Sequence, residues 1–337
     1  MTGRTTKLDI NPAASLGVFT MVMSVLGIFI LASETIAQLS LHGNGKIAFT
    51  SSRDGNLEIY VMNNDGTRQV RLTNNTVDDL FPAFSPNGRK IAFVSQKTPG
   101  FSDANITIMN ADGTDQTNLT SIILRSSPRP WEDWENSSLS WSPDGSKIAF
   151  DDAGEIFAIN VDGSNRTNLT NNPTLDIAPA WSRDGSRILF TSHRVGYLTM
   201  HTMNAADGSD VQMLSSRGYF WDVSPDWSPT GDKIVFTELN EDWFPLIMIA
   251  TPDGKNRRIV EGGGSGTRNM PKWSPDGKKI VFHHWQYPSG DCEIFVKDVS
   301  GGVSKRLTDT TGNNFQPSWQ AIVGPRTDVE IDERLDD

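Results

Sequence analysis

Through residues 44–320 the apolar residues fall in short clusters bounded by turn signals. Ile91-Ala92-Phe93, Ile148-Ala149-Phe150, Ile188-Leu189-Phe190, Ile234-Val235-Phe236 and Ile280-Val281-Phe282 each follow an Asn-Gly, Asp-Gly or Thr-Gly pair at one fixed spacing. Asp-Gly and Asn-Gly supply the positive φ angles of tight hairpin turns, and β-branched or aromatic residues flank them. Each cluster therefore predicts a short antiparallel strand.

The clusters belong to a repeat with a period of 40 to 57 residues. Its strongest unit is Trp141-Ser142-Pro143-Asp144-Gly145, which returns from Trp181, Trp227 and Trp273, and from Phe84 with phenylalanine in the first place. A second unit, Asn63-Asn64-Asp65-Gly66-Thr67, recurs at Asn110–Thr114, Ile159–Ser164 and Met203–Ser209. Leu-Thr follows it at Leu72, Leu119, Leu169 and Leu307. Four strands per repeat follow: A (Pro-x-Trp-Ser), B (Ile-x-Phe), C (as in Ile59-Tyr60-Val61-Met62) and D (Leu-Thr). Proline two residues before the tryptophan position, at Pro82, Pro179, Pro225, Pro271 and Pro317, suits an edge strand, because proline donates nothing to a ladder.

Counting closes the ring. B strands start at Ile47, Ile91, Ile148, Ile188, Ile234 and Ile280, and A strands end at Phe84, Trp141, Trp181, Trp227, Trp273 and Trp319. The first B has no preceding A, and the last A has no following B. The sequence thus predicts an all-β, six-bladed β-propeller closed by its C-terminal strand, over residues 44–320.

The Trp-Ser-Pro-Asp-Gly and Asn-Ala-Asp-Gly-Thr units resemble the TolB-type propeller repeat, found in TolB proteins and in propellers attached to prolyl-oligopeptidase-like enzymes. The resemblance implies a fold and not one function, since propellers serve as binding scaffolds and as enzymes. Neither the α/β domain that precedes the TolB propeller nor a following hydrolase domain is expected here.

Residues 1–37 read differently. Arg4 and Lys7 precede an almost continuous apolar run from Leu16 to Ala32, and Thr35-Ile36-Ala37 offers small residues at the right places for cleavage before Gln38. This is the layout of a secretory signal peptide, and an uncleaved membrane anchor is the rival reading. Either one places the propeller outside the cytoplasm: periplasmic, secreted, or anchored and facing outward. Any membrane contact is then expected only through an uncleaved N-terminal segment. Residues 321–337 form a solvated acidic tail. The six Asn-x-Ser/Thr sequons, from Asn74 to Asn168, belong largely to the structural repeat.

Composition narrows the chemistry. With 41 acidic and 30 basic residues the chain has a net charge of −11, which disfavours nucleic acid. Segment 1–37 holds two charges of each sign, so the propeller keeps that excess. The single cysteine, Cys292, excludes an internal disulfide framework. There is no Gly-x-Ser-x-Gly elbow and no phosphate-binding glycine loop.

Candidate binding residues fall on the D–A and B–C loops, which share one face of the propeller and vary most. Five of the ten tryptophans are repeat residues expected in the core. The other five, Trp131, Trp134, Trp221, Trp243 and Trp285, fall in these loops, with Tyr197, Tyr219 and Tyr287. They suit a protein or peptide partner in the cell envelope, or a glycan. Three residues before each A-strand proline position stand Asp79, Asn136, Asp176, Asp222, Arg268 and Asn314, expected to ring the channel mouth. Their repetition favours a structural role, and the three aspartates also suit calcium or a basic peptide. No other cofactor is expected. His283 and His284, with Gln286 nearby, fall in the sixth B–C loop and offer the alternative of a polysaccharide lyase or hydrolase. The leading expectation is a non-catalytic, extracytoplasmic scaffold binding a protein or peptide on the loop face.

Overall fold

The computed structural model describes residues 42–97, 103–123, 138–214, 221–239, 244–263, 266–286 and 290–323. The N-terminal segment and the acidic tail lie outside them. Gly43–Val323 forms one compact unit of six four-stranded antiparallel sheets. Blade 1 contains β1 (His42–Ser51), β2 (Glu58–Met62) and β3 (Val70–Arg71). Blade 2 follows with β4 (Asp79–Phe84), β5 (Lys90–Gln96), β6 (Asp103–Asn110) and β7 (Thr117–Ile123). Blade 3 has β8 (Ser140–Trp141), β9 (Lys147–Asp152), β10 (Glu155–Asn160) and β11 (Thr167–Asn168). Blade 4 has β12 (Asp176–Trp181), β13 (Arg187–Ser192), β14 (Thr199–Asn204) and β15 (Gln212–Met213). In blade 5 the strands are β16 (Trp221–Trp227), β17 (Ile234–Leu239), β18 (Pro245–Ala250) and β19 (Arg258–Glu261). In blade 6 they are β20 (Thr267–Trp273), β21 (Lys279–Trp285), β22 (Cys292–Asp298) and β23 (Lys305–Arg306). The last strand, β24 (Asn314–Val323), pairs with β1 and completes blade 1, so no blade is left open. Among the described residues there is no helix.

The core lies between the blades, one apolar cluster for each of the six seams. Every second strand contributes one fully buried phenylalanine: Phe49, Phe93, Phe150, Phe190, Phe236 and Phe282. Each such burial stabilises the fold by roughly 2–3 kcal/mol. The two turn units of the sequence interlock across the seams. In the Asp-Gly-Ser turn of blade 4, Gly208 has φ +73°, and a Cβ there would sit 1.8 Å from the carbonyl oxygen of Leu169, the leucine of the Leu-Thr unit of blade 3. Only glycine allows that approach.

The innermost strands carry a feature the sequence does not announce. Phe81, Ala178, Ser224, Met270 and Gln316, each immediately before an inner-strand proline, all have φ between +51° and +57°. The ladders of β4, β12, β16 and β20 shift register at these residues. Proline disfavours the right-handed helical region for the residue before it. A bulge takes up the extra residue and turns its N–H toward the neighbouring blade. Thus Phe81 N–H donates to Gln316 Oε1 (2.9 Å), and Gln316 N–H donates to His283 Nδ1 (3.5 Å).

Candidate functional site

Antiparallel pairing puts the first residues of all inner strands at the end of the propeller where the D–A and B–C loops emerge. Asp79, Asp176, Asp222, Arg268 and Asn314 are all buried there, at or next to the start of their strands. Asn136 lies outside the described residues. Most of these side chains are engaged within the fold. Arg194 holds Asp176 through Nε and Nη2 at 3.3 and 2.7 Å. Arg257 holds Asp222 at 2.9 and 2.7 Å and Glu238 at 2.6 Å. Arg53 donates to Asn314 Oδ1 at 2.8 Å, and Arg268 lies 3.7 Å from Glu261. Two of the three aspartates on which a calcium site would draw, Asp176 and Asp222, thus give both oxygens to guanidinium groups. Among the described residues no group of three or more His, Cys, Asp and Glu is placed to hold a metal ion.

Four arginines close to these strand starts are fold-building residues that the repeat count misses. Their guanidinium carbons lie 4.9–5.7 Å from the ring centres of the buried phenylalanines: Arg53 over Phe49, Arg166 over Phe150, Arg194 over Phe190 and Arg257 over Phe236. A sequence signal exists for two of them. Thr50-Ser51-Ser52-Arg53 and Thr191-Ser192-His193-Arg194 are the same motif after the second strand. Its serine hydroxyl accepts the arginine N–H, at 3.4 Å in blade 1 and 3.2 Å in blade 4.

The histidines are not in a loop: both lie on β21, which runs on through Trp285 because β22 pairs with it along its whole length. His283 is 1% exposed, edge-on to Phe315, and takes the Gln316 N–H on Nδ1. Burial, with the neighbouring His284 adding to it, lowers its pKa to about 3, so it is a neutral wall residue. It therefore presents no exposed imidazole to a sugar. His284 is half-buried against Phe295. Trp221 likewise opens β16 instead of sitting in a loop.

Beside polar residues such as His193, Asp291 and Asp309, this end also exposes apolar and aromatic side chains. Trp285 is 38% and Phe244 52% exposed, Val195 is exposed beside them in chain order on blade 4, and Tyr197 and Trp221 are half-buried. All five belong to blades 4, 5 and 6. Trp131, Trp134, Trp243, Tyr219 and Tyr287 lie outside the described residues.

At the opposite end the inner strands enclose a cavity of about 240 Å³, lined by Phe81, Leu139, Met270 and Gln316 and reaching the hairpin residues Pro143 and Arg183. Five of the six residues before the tryptophan position line it: Ala83, Ser140, Asp226, Lys272 and Ser318. Ser318, Ser140 and Asp226, on blades 1, 3 and 5, each accept the N–H of the next blade's Phe84, Trp181 or Trp273 at 2.9–3.1 Å. Burial raises the Asp226 pKa against the pull of Lys272, 3.6 Å away.

A family model described as the TolB beta propeller domain matches residues 132–265 and 206–322, more than half of the chain. The chain belongs to the TolB β-propeller family. Among curated proteins, the TolB homolog of Chlorobium luteolum is 27% identical over 155 residues, 44% of this chain and 32% of that one. The Tol-Pal system protein TolB of Geobacter sulfurreducens is 55% identical over 47 residues, 14% of this chain and 11% of that one. The matched segments thus span about a third or less of these relatives. Among solved structures, TolB from Acinetobacter baumannii superposes with a TM-score of 0.68 at 20% identity, over 86% of this chain and 71% of that one. A chain of a nidogen/laminin complex gives 0.61 at 12% identity, over 82% and 98%. These structural likenesses concern the fold.

Proposed function

We propose that this TolB-family propeller is a non-catalytic, extracytoplasmic scaffold that docks a protein partner on the loop end of blades 4–6. The observation that carries this reading is the division of labour at that end. The charged side chains that start its inner strands, Asp176 and Asp222, are engaged inside the fold, while Val195, Phe244 and Trp285 are exposed. Apolar and aromatic residues in such a setting are the usual anchors of protein interfaces. The Tol-Pal membership of one relative supports an envelope partner, and the apolar run of residues 1–37 supports export.

The test is recovery of partners from the envelope of the source organism by wild type, by Phe244→Ala/Trp285→Ala and by Arg183→Ala, the last at the opposite end. Truncating two anchors should weaken a partner at least 30-fold, while Arg183→Ala retains it. Equal recovery by all three would remove this face from consideration.

A further inference from the structure

Three seams are built to one plan, and one of them departs from it. A glutamate stands at or next to the start of the third strand of one blade, and an acidic or amide residue opens the inner strand of the next: Glu58 with Asp79, Glu155 with Asp176, Glu293 with Asn314. In each, the residue four before the inner-strand position donates its backbone N–H to the glutamate: Asn75 at 3.0 Å, Asn172 at 2.9 Å and Thr310 at 3.3 Å. At the blade 6–blade 1 seam, Asn314 Nδ2 donates to Glu293 Oε2 at 2.9 Å. At the blade 3–blade 4 seam, Asp176 replaces the amide and Arg194 neutralises it. At the blade 1–blade 2 seam, carboxylate meets carboxylate, and the position equivalent to Arg194 is Lys97, which is exposed.

Glu58 and Asp79 are both fully buried, and Asn75 bridges them, with its N–H on Glu58 Oε1 and its Nδ2 on Asp79 Oδ2 at 2.7 Å. Arg71 and Asn56 also donate to Glu58 Oε1, at 2.7 and 2.9 Å. Among the described residues neither Glu58 Oε2 nor Asp79 Oδ1 accepts a well-formed hydrogen bond, although the Thr73 and Ser95 hydroxyls beside Asp79 favour its ionised form. Two buried carboxyls bridged by one amide, each with an oxygen left over, favour the neutral form of one of them. We propose that Asp79 holds a proton beside Glu58, so that the seam between blades 1 and 2 tightens in acid and loosens as the proton leaves.

The charges around the pair favour this. Among the described residues Arg71 is the one cation that reaches it, and Asp54 takes part of that arginine. From the preceding loop, Asp78 accepts the Leu57 N–H; β2 adds Tyr60, whose hydroxyl bonds Asp54. β5 brings Lys90 at its far end and, just after it, the exposed Lys97, while β8 and β24 carry no charged residue. Burial first, then the negative charge of Glu58, pushes the Asp79 carboxyl up to about 6 from 3.8, against hydrogen bonds that favour ionisation. A raised folded pKa gives stability that is complete below the unfolded value and is lost as pH rises through the folded one.

The experiment compares wild type with Asp79→Asn, which recreates the Asn314–Glu293 pair, by denaturant unfolding of the full chain from pH 4 to 8. The two should converge near pH 4, and Asp79→Asn should gain on the order of 100-fold in the folding constant by pH 7. The contribution of His283 is common to both and cancels. Carboxyl carbon NMR supplies the second reading: one carboxyl titrating near pH 6 in wild type, absent in Asp79→Asn and shifted down in Lys97→Arg. A gap between the two proteins that does not vary with pH, or both carboxyls ionised at pH 5, would overturn the proposal.

Discussion

Arg257 meets Asp222 through two parallel hydrogen bonds, and the side chains of both are only 2% exposed. A third bond joins the arginine to Glu238. The guanidinium lies over Phe236, so a planar cation fills the space between a ring and two carboxylates. The two acids draw its pKa upward although burial works against them.

Removing that cation leaves two carboxylates buried without a counter-charge. Arg257→Ala should therefore cost about 3–5 kcal/mol in denaturant unfolding. Arg257→Lys should recover less than half of the loss, because an ammonium cannot bond both Asp222 oxygens and Glu238 in the same plane. A full rescue by lysine would mean that charge alone matters there.

The repeat tryptophans should separate by what their indole N–H touches. Trp141 Nε1 donates to the Ala83 carbonyl at 3.0 Å, whereas Trp273 Nε1 has no partner among the described residues. Phenylalanine already holds this place in blade 2, as Phe84. Trp141→Phe should cost about 1 kcal/mol more than Trp273→Phe, the worth of one hydrogen bond. Unfolding midpoints of the two variants at equal m-value measure the difference.

His283 sets part of the acid limb of the stability curve. Its folded pKa is depressed to about 3 from 6.5, so the unfolded chain binds the extra proton throughout that window. The stabilising contribution is full above pH 6.5 and is lost as pH falls toward 3, by up to about 5 kcal/mol. His283→Leu should flatten this limb and leave a weaker protein at pH 7, since Gln316 N–H loses its acceptor. An unchanged limb would mean that His283 titrates normally.

Much of the architecture was legible because it is repeated. Six Ile-x-Phe clusters and six tryptophan positions, one of them Phe84, gave the number of blades and the place of β24, and proline marked the inner edge in five of them. The site was less legible, for physical reasons. His283, His284 and Trp285 read as loop because the second-strand motif ends at Phe282, but β22 is long enough to extend the pairing to Trp285. The left-handed residues before proline leave no trace in composition: Phe, Ala, Ser, Met and Gln share nothing except the bulge they occupy. The arginines are hidden by substitution of role. Blades 1 and 4 supply theirs just after the second strand, while blade 5 supplies Arg257 from just before β19.

The pairing of β24 with β1 also sets a timetable. Thr50 and Gln316, bonded at 2.8 Å, are 266 residues apart in the chain. At a synthesis rate of about 5–20 residues per second, β1 waits on the order of 15–50 s for its partner. Blades 2 to 6 can each pair locally during that interval, but the ring is complete only when the last strand arrives. A nascent chain is thus held short of its final cooperativity until almost all of it has been made, which keeps it threadable for most of its synthesis.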